Sequence, residues 1–516
     1  MKTVAQRIVE WLESMGTEVV FGIPGVHTIE LYRALPGSRI RHVTARHEAG
    51  AGFMADGYTR VSGRFGVALV ITGPGVTNIL TPMAQARADS VPMLVISGVN
   101  ARPTLGKGLG HLHELPDQLA LTRTLGPAFH LETPQALPEI LTEAGRALTQ
   151  GRGGPVHLQI PLDLMASPAP DLLAAPDCHN TDEPNLADAK LILSRARKPV
   201  ILAGGGCRRA EAELRALAER LQAPVVQTTN ARGLMHGHPL TVPASPSLEP
   251  IRDLIRDSDA IVVAGSELGL TDFDMYADDG MPDLSAMIRI DVCATQLSRH
   301  PAAVSVLGDV RHLLPRLAEQ EASAPLGHER AASARDKARA ALPLEVREDV
   351  DLLRSLTTAR PGTLFVGDST QIIYAGNLYH DHDRPGGWFN AATGYGALGY
   401  ATGAAVGAAL AAPNTPVMCL IGDGGLMFAP GEVLTAVEEG LDITFLVFNN
   451  RGFGEIASAM REAGVQVLGC SPLPPIFEDF ARSCGLPFMR CLKGDLANVV
   501  TGRRGPSMIE VELPTV

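Results

Sequence analysis

The chain of 516 residues is 45% hydrophobic and 19% charged, which excludes a disordered polypeptide. At roughly 150 residues per domain it has room for about three domains. Forty-four Lys and Arg against 56 Asp and Glu leave a net charge of −12, and aromatic residues make up 4%, a balance unsuited to a nucleic-acid surface. Seven scattered cysteines, none in C-x-x-C spacing, indicate neither a disulfide framework nor a zinc site and fit a reducing compartment.

In chain order, the opening MKTVAQRIVEWLESMG has the spacing of an amphipathic helix rather than a secretory leader. Short β-branched runs then alternate with helix-period stretches. VVFGIPG, VALVITGPG, MLVISG and VHLQIPLD occupy the first third, and PVILAGGG, APVVQTT, AIVVAGS and MIRIDV the second. TLFVGDS, PVMCLIGDGG, ITFLVFNN and MIEVEL follow in the last. Unbroken apolar runs closed by turn residues mark strands buried on both faces. The predicted fold class is α/β, with three doubly wound parallel-sheet domains over 1–165, 186–318 and 350–516. Two stretches break the rhythm and read as linkers: the Pro- and Asp-rich 166–188 and the charged helical run of about 318–350. The longest apolar stretch, 396–412, is Gly/Ala-rich and stops at Pro413, which is weak for a membrane span. A cytoplasmic protein with no membrane or nucleic-acid partner is expected.

Ligands of such sheets sit where the chain leaves the carboxyl ends of the strands. Strand PVMCLI runs into Gly422-Asp423-Gly424-Gly425, and strand ITFLVF into Asn449-Asn450. The 27 residues from Asp423 to Asn450 suffice for a loop, a helix and a return strand, so the two can meet at one sheet edge. A carboxylate plus an amide oxygen is hard-oxygen ligation suited to Mg²⁺ or Ca²⁺, with phosphate oxygens and water completing the shell. Glycines at 422, 424 and 425 allow a sharp turn that aims amide N–H groups at a pyrophosphate. A lone G-D-G is usually an ordinary β-turn; the second turn at this spacing gives the pair its meaning.

The GDG…NN pair resembles the thiamine-diphosphate fingerprint of the 2-oxoacid decarboxylase and acetolactate synthase superfamily. The resemblance spans the chain as pyrimidine-binding, middle Rossmann-like and diphosphate-binding domains. It implies thiamine diphosphate as cofactor, with Mg²⁺ held by Asp423, the side-chain oxygen of Asn450 and the main-chain carbonyl of Gly452. It implies that Glu48, which follows a strand and opens a helix, hydrogen-bonds the cofactor's aminopyrimidine; by itself Glu48 would read as a carboxylate favoured by a helix N-terminus. The turn 72–78 resembles the one beside the pyrimidine, through Gly73 and Asn78. The segment 368–371 resembles the loop that meets the diphosphate from the other side, through Thr370 and Gln371. Gly396 and Leu398 would bond the pyrimidine through main-chain groups, and the Leu398 side chain would wedge between the rings, where its plainer reading is core packing. In the superfamily such a glutamate and such a GDG turn come from different subunits. A homodimer with active sites at the interface is therefore the implied minimum, and a homotetramer the expected assembly.

The segments FGIPGVHTIELYRALPGS, RHEAGAGFMADGY and LGKGLGHLHELPDQ look most like the 5-guanidino-2-oxopentanoate decarboxylases. The expected activity is thiamine-diphosphate- and Mg²⁺-dependent decarboxylation of a 2-oxoacid, a long or cationic one such as 5-guanidino-2-oxopentanoate. The alternative is an acetolactate-synthase-type carboligase joining two 2-oxoacids. Glu455, where acetolactate synthases usually carry methionine, could pair with a guanidinium; an exposed helix-start glutamate is the plainer reading. His27, His111 and His113 are candidate catalytic residues for proton transfer. The latter two are split as His-Leu-His, and Val26 stands on the substrate side where pyruvate decarboxylases have aspartate; both features argue against a simple pyruvate decarboxylase. In the middle domain, Gly204-Gly205-Gly206 and Asp291 lie where relatives hold FAD or ADP, but G-x-G-x-x-G fails at Arg209 and neither nucleotide is favoured. A flavin or nicotinamide oxidoreductase and a binding protein without turnover are the competing classes.

Overall fold

The computed structural model describes residues 1–173, 184–273, 280–319 and 326–515; Cys178 and the centre of the 166–188 stretch lie outside them. Three parallel six-stranded sheets carry the fold. The first contains β1 (Val19–Gly22), β2 (Arg41–Thr44), β3 (Gly66–Val70), β4 (Met93–Val99), β5 (Ala128–His130) and β6 (Pro155–Pro161), in the order β2-β1-β3-β4-β6-β5. The second contains β7 (Pro199–Ala203), β8 (Val225–Gln227), β9 (Thr241–Val242), β10 (Ala260–Ala264), β11 (Ile288–Asp291) and β12 (Val304–Leu307), in the order β12-β11-β10-β7-β8-β9. The third contains β13 (Leu364–Gly367), β14 (Trp388–Asn390), β15 (Val417–Gly422), β16 (Ile443–Asn449), β17 (Phe488–Leu492) and β18 (Ser507–Glu512), in the order β14-β13-β15-β16-β18-β17. The predicted α/β class with three parallel sheets is thus what the chain forms. The third sheet repeats the strand order of the first, and the middle sheet has the dinucleotide-fold order.

One hydrophobic cluster joins the first and third sheets. At its centre the helix Glu48–Ser62 crosses the helix Tyr400–Ala411, so the apolar 396–412 stretch is an interior helix. The two backbones nearly touch: a Cβ on Gly57 would stand 2.0 Å from the Ala404 carbonyl oxygen, and one on Gly407 would stand 1.9 Å from that of Met54. Glycine is the residue that permits such an approach. A buried polar hub ties in all three sheets. Arg60 donates to Asp56 (2.6 Å), to Asp89 (2.6 Å) and to Asn230 (3.2 Å), while Tyr400 donates to Asp56 (2.6 Å) and Thr393 to Asp89 (2.8 Å).

The run read as a linker over 318–350 is instead part of the packed fold. Its helix Gly327–Ala341 buries Ala331, Ala334 and Ala338 against the middle sheet's outer cluster, and Arg330 donates to the Pro199 carbonyl (2.8 Å) and Arg335 to that of Thr241 (2.6 Å). Alanines at helical spacing make an apolar stripe too thin to stand out among the charged residues around them. Among the described residues no helix is long and apolar enough to cross a membrane, and the six described cysteines are free.

Candidate active site

Strands β15 and β16 pair in parallel up to Gly422 opposite Phe448, so their following turns emerge side by side. Asp423 opens the short helix Asp423–Leu426 and is 2% exposed. Burial raises its carboxyl above the ordinary range, and nearby backbone N–H groups, among them those of Asn450, Gly424 and Gly452, oppose that rise. The two asparagines divide their work. Asn449 is committed to the sheet, donating to Glu510 (2.6 Å) and accepting from the Arg451 N–H (3.0 Å). Asn450 faces the cavity and accepts the Gly452 N–H (3.2 Å) through its side-chain oxygen.

That cavity, of ≈ 480 Å³, lies at the carboxyl ends of the third sheet. Its walls bring together Thr370, Gln371, Gly396, Leu398, Gly422, Asp423, Gly424, Gly425, Asn450, Gly452 and Glu455. Gly424 is required by its neighbour, since a Cβ there would stand 2.5 Å from the Phe453 ring. Leu398 is half-buried and belongs to none of the core clusters of the described residues; Gly396 and Gly399 on either side take left-handed conformations, φ 75 and 78, which turn the leucine into the cavity instead of the interior. Glu455 sits in the first turn of the helix Gly454–Glu462, exposed, and accepts a short hydrogen bond from the Gln371 amide.

The chemistry of the lining fits a diphosphate carried by a divalent cation. Among the described lining residues there is no arginine, and the lysine, Lys493, is paired with Asp349 (2.6 Å). Asp423 forms no ion pair among the described residues. No group of three or more His, Cys, Asp or Glu that could hold a metal was found among the described residues either. A pyrophosphate entering this cavity would meet carboxylates unless a cation bridged them, and one carboxylate with amide and carbonyl oxygens is a partial shell that phosphate oxygens would complete.

The remaining candidates gather at the first sheet, and none of them lines this cavity. Glu48, half-buried at the start of its helix, accepts from the Asn78 amide (3.0 Å). Gly73, with φ 64, donates its N–H to Gln118 (3.1 Å) and abuts His113, whose carbonyl oxygen would stand 2.5 Å from a Cβ there. His27 is 3% exposed, its ring centroid 5.2 Å from that of His113. Burial, followed by the second imidazole, lowers the pKa of His27. Neither ring's Nδ1 has a partner among the described residues. His111 is exposed; its backbone N–H donates to the Glu114 carboxylate (3.0 Å) and its carbonyl accepts the Glu114 N–H (3.0 Å). Val26 is 60% exposed. Within one chain, therefore, the expected residues form two groups rather than one.

Sequence reasoning gave no role to Gln118 or Lys493, and it placed Asp368 in the diphosphate loop without a part of its own. Asp368 is fully buried, accepts from the N–H groups of Ser369 (3.0 Å) and Ala401 (3.2 Å), and is pushed up to about 6 by burial. It ties the Thr370 loop to the turn that carries Leu398; its place just past a strand end was the available signal. Gln118, 3% exposed, accepts from Thr72 (2.8 Å) and Gly73 and donates to Gln159 (2.9 Å). Lys493 carried no signal. Where the middle domain meets the other two, a cavity of ≈ 290 Å³ is lined by Gly205, Gly206, Gly265 and Asp291 together with Asp89, Arg152 and Thr393. Arg209, at the place of the missing glycine, points away to the Gly63 carbonyl (3.4 Å).

Three family profiles match the chain: "Thiamine pyrophosphate enzyme, N-terminal TPP binding domain" over residues 2–121, the central domain over 186–317, and the C-terminal TPP binding domain over 368–511. The chain is 41% identical over 499 residues to the probable 2-ketoarginine decarboxylase AruI of Pseudomonas aeruginosa, covering 94% of this chain and 88% of that one. It is 30% identical over 542 residues to the acetolactate synthase isozyme 1 large subunit of Escherichia coli (99% and 94% covered). To the acetolactate synthase large subunit of Corynebacterium glutamicum it is 32% identical over 498 residues (88% and 76% covered). Fold, site chemistry and these likenesses agree that the chain belongs to the thiamine pyrophosphate enzymes, as a thiamine-diphosphate-dependent enzyme of the 2-oxoacid decarboxylase and acetolactate synthase kind.

Proposed function

We propose that the protein decarboxylates a long 2-oxoacid with a cationic end, of the 5-guanidino-2-oxopentanoate class. The observation that carries this is Glu455, a carboxylate in the wall of the same cavity as Asp423 and Asn450. A guanidinium is the side group that a fixed carboxylate selects, by paired charge-assisted hydrogen bonds. The higher identity to the probable 2-ketoarginine decarboxylase than to the two acetolactate synthases supports the same choice.

Thiamine diphosphate supplies, when bound, a carbon nucleophile and an electron sink for the departing carboxylate. The chain's own residues do the rest. Asp423, the Asn450 oxygen and the Gly452 carbonyl would hold Mg²⁺, and Gly422, Gly424 and Gly425 would leave room for the diphosphate, with Thr370 and Gln371 on the same cavity wall. Gly396 and Leu398 would pack against the bound cofactor. Glu48, which accepts the Asn78 amide, would hold a proton for the aminopyrimidine, with Gly73 beside it. His27, His113 and His111 handle the product's proton, and Val26 faces the substrate.

The two groups become one site in a homodimer. Large apolar side chains lie bare beside each: Val26 (60%), Leu109 (63%) and Leu112 (61%) at the first, Phe428 (61%), Leu468 (77%) and Leu473 (94%) near the third. Such surface calls for a partner, and a second copy brings the complementary group. We extend the reading to a homotetramer in the cytoplasm, with domains over 1–165, 186–318 and 350–516.

A panel of 2-oxoacids, supplied with thiamine diphosphate and Mg²⁺, tests the proposal. The guanidino acid is expected to give CO₂ and the aldehyde one carbon shorter, with the highest kcat/KM of the panel. An acetohydroxy acid from pyruvate as the main product would replace this reading with the carboligase one.

A further inference from the structure

Glu432 is the first residue of the helix Glu432–Glu438 in the third sheet's domain, nine residues after Asp423. It is 1% exposed, and its carboxylate bonds mostly outside the domain it belongs to. One oxygen accepts the backbone N–H groups of Arg46 and His47, each at 3.1 Å, and the other accepts the Thr435 hydroxyl (2.8 Å). Arg46 and His47 are the two residues before Glu48, and His47 is the N-cap of the helix that Glu48 opens. These are donors that a helix start leaves without partners inside the helix. Here they are bound by an acid that lies 386 and 385 positions away.

The surroundings are built for that contact. A Cβ on Gly50 would stand 2.0 Å from the Glu432 carboxylate, and one on Gly431 would stand 2.8 Å from the Arg46 side chain. The rim repeats the pairing with exposed groups: Arg46 donates to Glu438 (2.7 Å) and Arg41 pairs with Glu439. A buried carboxylate is costly unless hydrogen-bonded, and this one obtains its bonds from the backbone that aims Glu48. The same segment thus runs from the Asp423 turn to the root of Glu48 within one chain.

We propose that Glu432 is the positioning residue for Glu48. It fixes the peptide groups of residues 46 and 47 and so sets the direction in which Glu48 leaves its helix. Through it, the element of a chain that grips its own diphosphate also holds the acid that the chain presents to its partner's cofactor. The inference rests on the reading of Glu48 given above.

The test uses the intact holoenzyme and four variants: Glu432→Gln, Glu432→Asp, the rim control Glu438→Gln, and Glu48→Gln. Two quantities are measured, the dissociation constant for thiamine diphosphate with Mg²⁺, by calorimetry, and the rate at which the bound cofactor's thiazolium C2 proton exchanges with deuterium, by quench and NMR. Both Glu432 variants are expected to slow exchange roughly 10- to 100-fold, the scale of a small misplacement of a reacting group, while affinity stays within about threefold and Glu438→Gln exchanges as wild type. Wild-type exchange in either Glu432 variant, or a slowing only in step with lost affinity, overturns the proposal. Glu48→Gln separates the two readings: wild-type exchange there overturns the role of Glu48 itself, whereas slow exchange there with fast exchange in the Glu432 variants overturns only this inference.

Discussion

The first sheet, ordered β2-β1-β3-β4-β6-β5, and the third, ordered β14-β13-β15-β16-β18-β17, set out their strands alike and share a core. At their carboxyl ends they differ. The third carries glycines, one buried aspartate and an asparagine around an open cavity. The first carries a glutamate, an amide and two imidazoles that touch one another. On the function proposed above, the third end would grip an anion with a metal and the first would manage protons. One topology thus yields two ends of different chemistry because chemistry resides in the turns and the sheet only sets their spacing.

That division can be broken by experiment. Glu48→Gln is expected to lower kcat roughly 10²- to 10⁴-fold, the range for loss of a general acid or base, while cofactor affinity barely moves; steady-state kinetics beside calorimetry check it. Asp423→Asn should do the reverse in kind, weakening retention of thiamine diphosphate and Mg²⁺ by more than the roughly 10- to 100-fold that loss of an outer-shell partner costs. Equal losses of cofactor affinity in both variants would show that the two ends do not divide the labour.

Glu455→Gln sharpens the comparison by asking whether the third sheet also selects the substrate. We expect kcat/KM for the guanidino acid to fall roughly 10- to 100-fold, as for loss of a hydrogen bond to a charged group, with uncharged 2-oxoacids unaffected. Uniform loss across the panel would remove Glu455 from substrate recognition.

The smallest effect concerns stability. In β6 of the first sheet, His157 is fully buried between the Ser97 and Thr122 hydroxyls, both at 2.8 Å, and burial pushes it down to about 3. An unfolded histidine takes its proton near 6.5. The unfolded chain therefore binds more protons between those values, so each pH unit of acidification below about 6.5 costs about 1.4 kcal/mol, and the loss is regained as pH rises. Thermal melts of His157→Gln should fall less between pH 7 and pH 5.5 than wild type; parallel curves would refute the assignment.

The architecture was largely legible because its signals are local. All twelve apolar runs found in the sequence are inner strands, four to each sheet. The six outer strands were harder: β2, β5, β12 and β17 are partly exposed, and β9 and β14 are only two or three residues long. An outer strand needs no long apolar run, since one edge meets no neighbour. The helix Gly327–Ala341 was misread for a related cause, its buried face being Gly327 and three alanines.

The GDG and NN turns, with Glu48 at a helix start, were fixed by the order of residues along the chain, because strand ends, glycines and helix starts are properties of neighbours in sequence. Only the folded chain decided that Asn449 is bound to Glu510, that Lys493 is spent on Asp349, and that Glu432 reaches back to the N–H groups before Glu48. Each of those depends on which distant group comes within about 3 Å of a buried polar atom, and that is set by the packing of the sheets and helices against one another.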